Sequence, residues 1–213
     1  MTDSNYTALL IILDRSGSMS DIRDDMVGGL EQLIADQAQQ PGMLTIDIVT
    51  FDELIEHTHA FAQPQDVKVE LVPRGSTALY DAVGWSFNTF GKALADLPEH
   101  ARPGTVLVAI VTDGHENASH EYTADTIKTM ITHQREKFGW DITFLGANQD
   151  AVLEAQKIGI APGDALTYAA SAAGVSASRA AMSRKMADSR QGVRTEFTQE
   201  ERGNAAGGAS PTP

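Results

Sequence analysis

Along the chain, unbroken apolar runs of strand length alternate with stretches in which apolar residues return every three or four positions. Leu9 to Leu13 is the first such run, and Ile22, Met26, Leu30, Leu33 and Ile34 then mark one face of a helix. Thr45 to Phe51 is rich in β-branched residues and predicts a second strand. The Asp52-Glu53 turn leads from it into Leu54 to Phe61, its hairpin partner. Pro64, Pro73 and Gly75 predict a meandering connection, with a short strand around Val67 to Leu71. Leu79, Val83, Phe87, Phe90 and Leu94 predict a helix that Pro98 closes. Val106 to Val111 reads as a buried strand, Thr123 to Lys137 as a helix and Asp141 to Leu145 as another strand. Gln149 to Ile158 reads as a short helix ended near Gly159. Ala165 to Tyr168 predicts a last edge strand, and Val175, Met182 and Met186 one side of a final helix.

This alternation predicts an α/β fold: three layers, doubly wound, with a mostly parallel central sheet, one antiparallel edge hairpin and helices on both faces. The 213 residues suffice for one such domain and not for a second. The domain is expected to span residues 1–198, of which 170–198 form a C-terminal helical segment. Residues 199–213, QEERGNAAGGASPTP, show no apolar periodicity and are expected to be a disordered tail. Gly28 and Gly29 inside the first helix cost about 1 kcal/mol each relative to Ala, which predicts close packing or a local break there.

Charge narrows the partners. Sixteen Lys and Arg against 29 Asp and Glu give a net charge of -13, which repels nucleic-acid phosphates and anionic membranes. The segment Ser171 to Arg194 reverses that sign, with Arg179, Arg184, Lys185, Arg190 and Arg194 against Asp188. It is expected to be a helix docked on the acidic body, with a partner-docking surface as the less favoured reading. The apolar run Ala8 to Leu13 is too short to span a bilayer and ends in Asp14, so the expected location is the cytoplasm. With no cysteine, metal ligation falls to carboxylates, hydroxyls and imidazoles.

Such oxygen donors occur where an open parallel sheet places its binding sites, at the carboxyl ends of strands. The first strand runs into Asp14-Arg15-Ser16-Gly17-Ser18, a carboxylate and two hydroxyls at alternate positions, with Gly17 free to adopt the turn geometry. Ile110-Val111-Thr112 runs into Asp113, and Arg74-Gly75-Ser76-Thr77 brings a hydroxyl to a helix start. Singly, each piece is an ordinary cap or turn. Together and in this order, Asp14-x-Ser16-x-Ser18, Thr77 and Asp113 resemble the metal-ion-dependent adhesion site of von Willebrand factor A domains, in particular short stand-alone bacterial or phage members. By element order the resemblance covers residues 6–168.

The resemblance implies that the two serines and the threonine touch the metal directly, while the two aspartates act mainly through water or as hydrogen-bond acceptors. Hard oxygen donors favour Mg²⁺ first, with Mn²⁺ or Ca²⁺ as alternatives. Neutral hydroxyls leave the cation poorly neutralised, so a partner's Asp or Glu is the expected outside ligand. The expected function is metal-dependent protein binding without catalysis. Two other classes stay open. One is a metal-assisted hydrolase or phosphotransferase with Asp14 as nucleophile, although Ser16 stands where haloacid dehalogenase-like enzymes place a second aspartate. The other is an assembly subunit of a larger complex, such as one driven by an AAA+ ATPase. No nucleophile elbow, phosphate loop or HExxH motif is found. Around the site, Asp81 reads as an exposed helix carboxylate before a supporting one, and His115 and Glu116 as solvated loop residues before a rim. His57 and His59 alternate along the hairpin on an expected solvent face.

Overall fold

The computed structural model describes residues 1–147 and 151–207. β1 (Asp3–Asp14), β2 (Met43–Phe51), β3 (Ile55–Ala62), β4 (Pro103–Thr112), β5 (Asp141–Ala147) and β6 (Ala165–Tyr168) form one sheet. Their order is β3-β2-β1-β4-β5-β6, parallel except for β3 against β2. The expected three-layer, doubly wound architecture is therefore present.

Side chains alternate across the sheet and build two cores. Leu9, Ile11 and Leu13 pack on one face with α1 (Arg23–Ala38), α5 (Ala172–Arg190) and α6 (Gln199–Ala205). Ala8, Leu10 and Ile12 pack on the other with α2 (Leu79–Asp96), α3 (Ala124–Phe138) and α4 (Ala151–Lys157). β1 and β4 lie side by side at the centre, and the chain leaves them in opposite directions, toward β2 and β5. This switch point opens a crevice at their carboxyl ends, and two of the predicted loops sit there.

The basic C-terminal segment is a docked helix. Arg179 pairs with Asp36 at 2.6 Å, and the buried Lys185 lies 3.2 Å from Asp141 and 3.0 Å from Asp164. A Cβ on Gly29 would stand 3.2 Å from the Val175 side chain, so α1 and α5 approach closely there, while Gly28 faces open space.

Several expectations need correction. Val67 to Leu71 forms no strand; the segment runs extended against α1, with Val69 and Leu71 buried. Arg23 of α1 donates to the Leu71 carbonyl at 2.7 Å. The first part of the presumed tail is ordered, because Thr198 and Glu201 form a reciprocal capping box that starts α6. Ala205 is fully buried, and Arg202 donates to the carbonyls of Ala165 and Pro162, so α6 is fastened over β6. Residues 208–213 lie outside the described residues, as do Gln149 and Asp150 at the predicted start of the fourth helix, which is seen from Ala151. His57 does not face solvent: it meets the buried Asp47 at 2.9 Å and the edge of Trp85. Among the described residues no helix is long and apolar enough to cross a membrane.

Candidate metal centre

Asp14 closes β1 in a fully buried position, and both its oxygens are engaged. The Ser16 N–H donates to Oδ1 at 2.6 Å, and the Thr112 hydroxyl donates to Oδ2 at 2.5 Å. From there a chain of hydroxyls leads outward. Ser16 Oγ lies 3.1 Å from Ser18 Oγ, which donates to Asp113 Oδ1 at 2.7 Å. Three of the five predicted side chains are thus linked directly, and Asp14 joins them through the Ser16 backbone.

Thr77 completes the set from the other side of the crevice. A Cβ placed on Gly114 would stand 2.7 Å from Thr77 Oγ1 and 3.6 Å from both Asp14 Oδ2 and Ser16 Oγ. Three oxygen-bearing side chains from two distant stretches therefore converge on one small region, and only a residue without a side chain can pass beside it. Two carboxylates and three hydroxyls are a donor set for a hard cation. Among the described residues no three His, Asp or Glu side chains gather as a metal site, so the hydroxyls are indispensable to any such role.

Burial pushes the Asp14 carboxyl from 3.8 up to about 6, against the opposing pull of its bonds from Thr112 and Ser16. Burial also raises Asp113, partly offset by Ser18 and reinforced by the charge of Asp21. Two acids held above their ordinary range at one spot are a destabilised pair that a cation would relieve.

The loops are held in register by a network that the sequence did not reveal. Asp52, in the β2–β3 turn, accepts from Arg15 Nε at 3.1 Å and from Arg74 Nε at 2.7 Å, while Glu56 takes Arg15 Nη1 at 2.6 Å. Burial would raise the Asp52 carboxyl, but Arg74, the Leu54 N–H and Arg15 together hold it below the usual range. Backbone bonds follow the same path, from Arg15 N to Phe51 O, from Arg74 N to Arg15 O and from Gly17 N to Gly75 O. The left-handed turn falls at Gly75, with φ +66, and not at Gly17. Asp52 thereby clamps the Asp14 and Thr77 stretches together. Arg15 and Arg74 flank the motif residues, but nothing in their spacing names Asp52 as their common acceptor.

The loop after Asp113 is anchored by residues expected to be solvated. Glu116 accepts from the N–H groups of Tyr80, Ala118 and Ser119, and Asp81 accepts from those of His120, Glu121 and Tyr122. Both carboxylates are therefore internal struts between α2 and this loop. His115 remains exposed, 3.5 Å from Glu154.

No family model matches the sequence, and no curated protein matches it. Solved structures match the fold. Proximal thread matrix protein 1 from the mussel byssus aligns with a TM-score of 0.62 and 15% identity over 86% of this chain and 47% of its own. A von Willebrand factor type A protein from Catenulispora acidiphila aligns with a TM-score of 0.60 and 17% identity over 85% of this chain and 42% of its own. The chain spans about half the length of these structures. Its fold is that of the von Willebrand factor A domain.

Proposed function

We propose that the chain is a divalent-cation-dependent protein-binding module, with Asp14, Ser16, Ser18, Thr77 and Asp113 holding Mg²⁺, or Mn²⁺ or Ca²⁺ in its place. The observation that carries this reading is the convergence of Thr77 Oγ1, Asp14 Oδ2 and Ser16 Oγ on the Gly114 backbone, joined to Asp113 through Ser18. When bound, the cation supplies a positive centre on an acidic surface, able to take a hard anionic oxygen from outside. The chain's own residues do the rest: Asp14 and Thr112 fix the inner wall, Ser18 and Asp113 the exposed rim, and Asp52 the distance between loops. A partner's Asp or Glu is the fitting ligand, with His115 beside it at the surface. Asp14, buried and bonded at both oxygens, suits a positioned ligand better than an attacking nucleophile.

The test is affinity capture on the full chain in Mg²⁺ and again in EDTA, with Asp14→Ala as control. A partner retained only by wild type in Mg²⁺, and lost when its own carboxylate is replaced, is the expected result. Capture indifferent to EDTA and to Asp14→Ala would overturn the reading.

A further inference from the structure

Tyr168 ends β6 with its side chain fully buried, and its hydroxyl has no hydrogen-bond partner among the described residues. It stands in an apolar core with Leu145, Ala147, Leu166 and Val175, where Phe would fill the same space without stranding a donor. The strand register places it beside the metal centre. Thr112 of β4 lies level with Gly146 of β5, and Ala147 of β5 lies level with Tyr168 of β6. Asp113 follows Thr112 where the chain leaves β4, at the same end of the sheet as the Ala147–Tyr168 pair.

Val111, Ala147 and Tyr168 all face the core shared with α1 and α5, and Asp113 bonds to Ser18, whose neighbour Met19 belongs to that same core. Neighbouring strands lie about 4.8 Å apart, and the intervening Ala147 is only a methyl group, so a phenol can reach across it. The electrostatics agree with this placement: after burial, the charges of Asp113 and Asp14 are what hold the phenol proton well above the ordinary tyrosine range. The hydroxyl is therefore a lasting donor, and the carboxylates that bear on it are those of the site.

We propose that Tyr168 is a positioning residue of the metal centre, its hydroxyl donating to Asp113, directly or through one water, when a cation is held there. The inference rests on the metal-binding reading above. A buried hydroxyl without a partner is costly, and a bond to Asp113 would satisfy it.

The experiment is calorimetric titration of the full chain with Mg²⁺, for wild type and Tyr168→Phe, together with thermal melting of both in EDTA. Tyr168→Phe should melt in EDTA at or above the wild-type temperature while its Kd for Mg²⁺ rises about tenfold, the lower end of the loss typical for supporting groups. In an Asp113→Asn background the same replacement should cause no further loss. An unchanged Kd in Tyr168→Phe overturns the inference. So does an equal loss in both backgrounds, or a lower melting temperature in EDTA with Mg²⁺ affinity intact, which marks a packing role only. A wild type that takes up no Mg²⁺ overturns the metal reading itself and this inference with it, an outcome distinct from a binding wild type beside an unaltered variant.

Discussion

Replacing Asp14 by Asn separates the cost of the site from its use. In the metal-free chain Asp14 is a fully buried carboxylate whose charge is opposed by its surroundings, and burial lifts it from 3.8 to about 6. At about 1.36 kcal/mol per pK unit, ionising it at neutral pH costs the native state up to about 3 kcal/mol. Asn keeps the shape. Its oxygen can still accept the Ser16 N–H, and the Thr112 hydroxyl can turn its proton to the Gly114 carbonyl, 3.1 Å away, while accepting from the new amide. In EDTA at pH 7.5 the variant should therefore be more stable than wild type by ~1–3 kcal/mol, a rise of several degrees at ~2–4 °C per kcal/mol for a chain of this size.

The pH dependence follows from the sign of the shift. The native state holds the Asp14 proton more tightly than the unfolded chain, so this contribution is complete below about pH 4 and is lost as pH rises to about 6. The advantage of Asn should fade over that window as pH is lowered. Saturating Mg²⁺ cancels or reverses the advantage: at a hundred times Kd, wild type gains about 2.7 kcal/mol by mass action and the variant gains little. Melting curves at pH 4.5 and 7.5, each with EDTA or Mg²⁺, read all four states. A variant less stable than wild type in EDTA at pH 7.5, or one that Mg²⁺ stabilises equally, would refute the reasoning.

Three further outcomes are expected. Ser16→Ala should weaken Mg²⁺ binding by roughly 10–100-fold, on the scale of lost metal-site contacts, while melting in EDTA stays within a degree or two of wild type; an equal loss of stability without metal would contradict this. Gly114→Ala should also cut Mg²⁺ affinity, since its methyl would stand 2.7 Å from Thr77 Oγ1, whereas Gly28→Ala, facing open space, should leave calorimetric binding untouched. Asp52→Ala should cost ~1–3 kcal/mol in urea unfolding, because Arg15 and Arg74 lose their shared buried acceptor while Arg15 keeps Glu56, Thr50 and the Leu54 carbonyl. A loss below about 1 kcal/mol on the surface ion-pair scale would show that Asp52 is no clamp.

The sequence alone determined whatever depends on local pattern. Apolar runs with no polar interruption, such as Val106 to Val111, must be buried on both faces and therefore lie within a covered parallel sheet. The 3–4 spacing of Leu79 to Leu94 fixes a helix and the face it buries, and the order of Asp14, Ser16, Ser18, Thr77 and Asp113 fixes where oxygens meet at strand ends. Thr198 and Glu201 also carried a legible cap, but composition beyond them masked it, since α6 is held by Arg202 and Ala205 over β6 and by Glu201 against Arg184 of α5.

Tertiary structure decided what depends on residues distant in the chain. Asp52 as the shared acceptor of Arg15 and Arg74, Glu116 and Asp81 as struts for the loop, and His57 turned toward Asp47 each combine groups whose separation in sequence says nothing of their approach. The passage of Gly114 beside Thr77 and the pairing that brings Tyr168 level with Ala147, near the end of β4, are consequences of register between strands. Register is set by the packing of both cores at once, and no single segment encodes it.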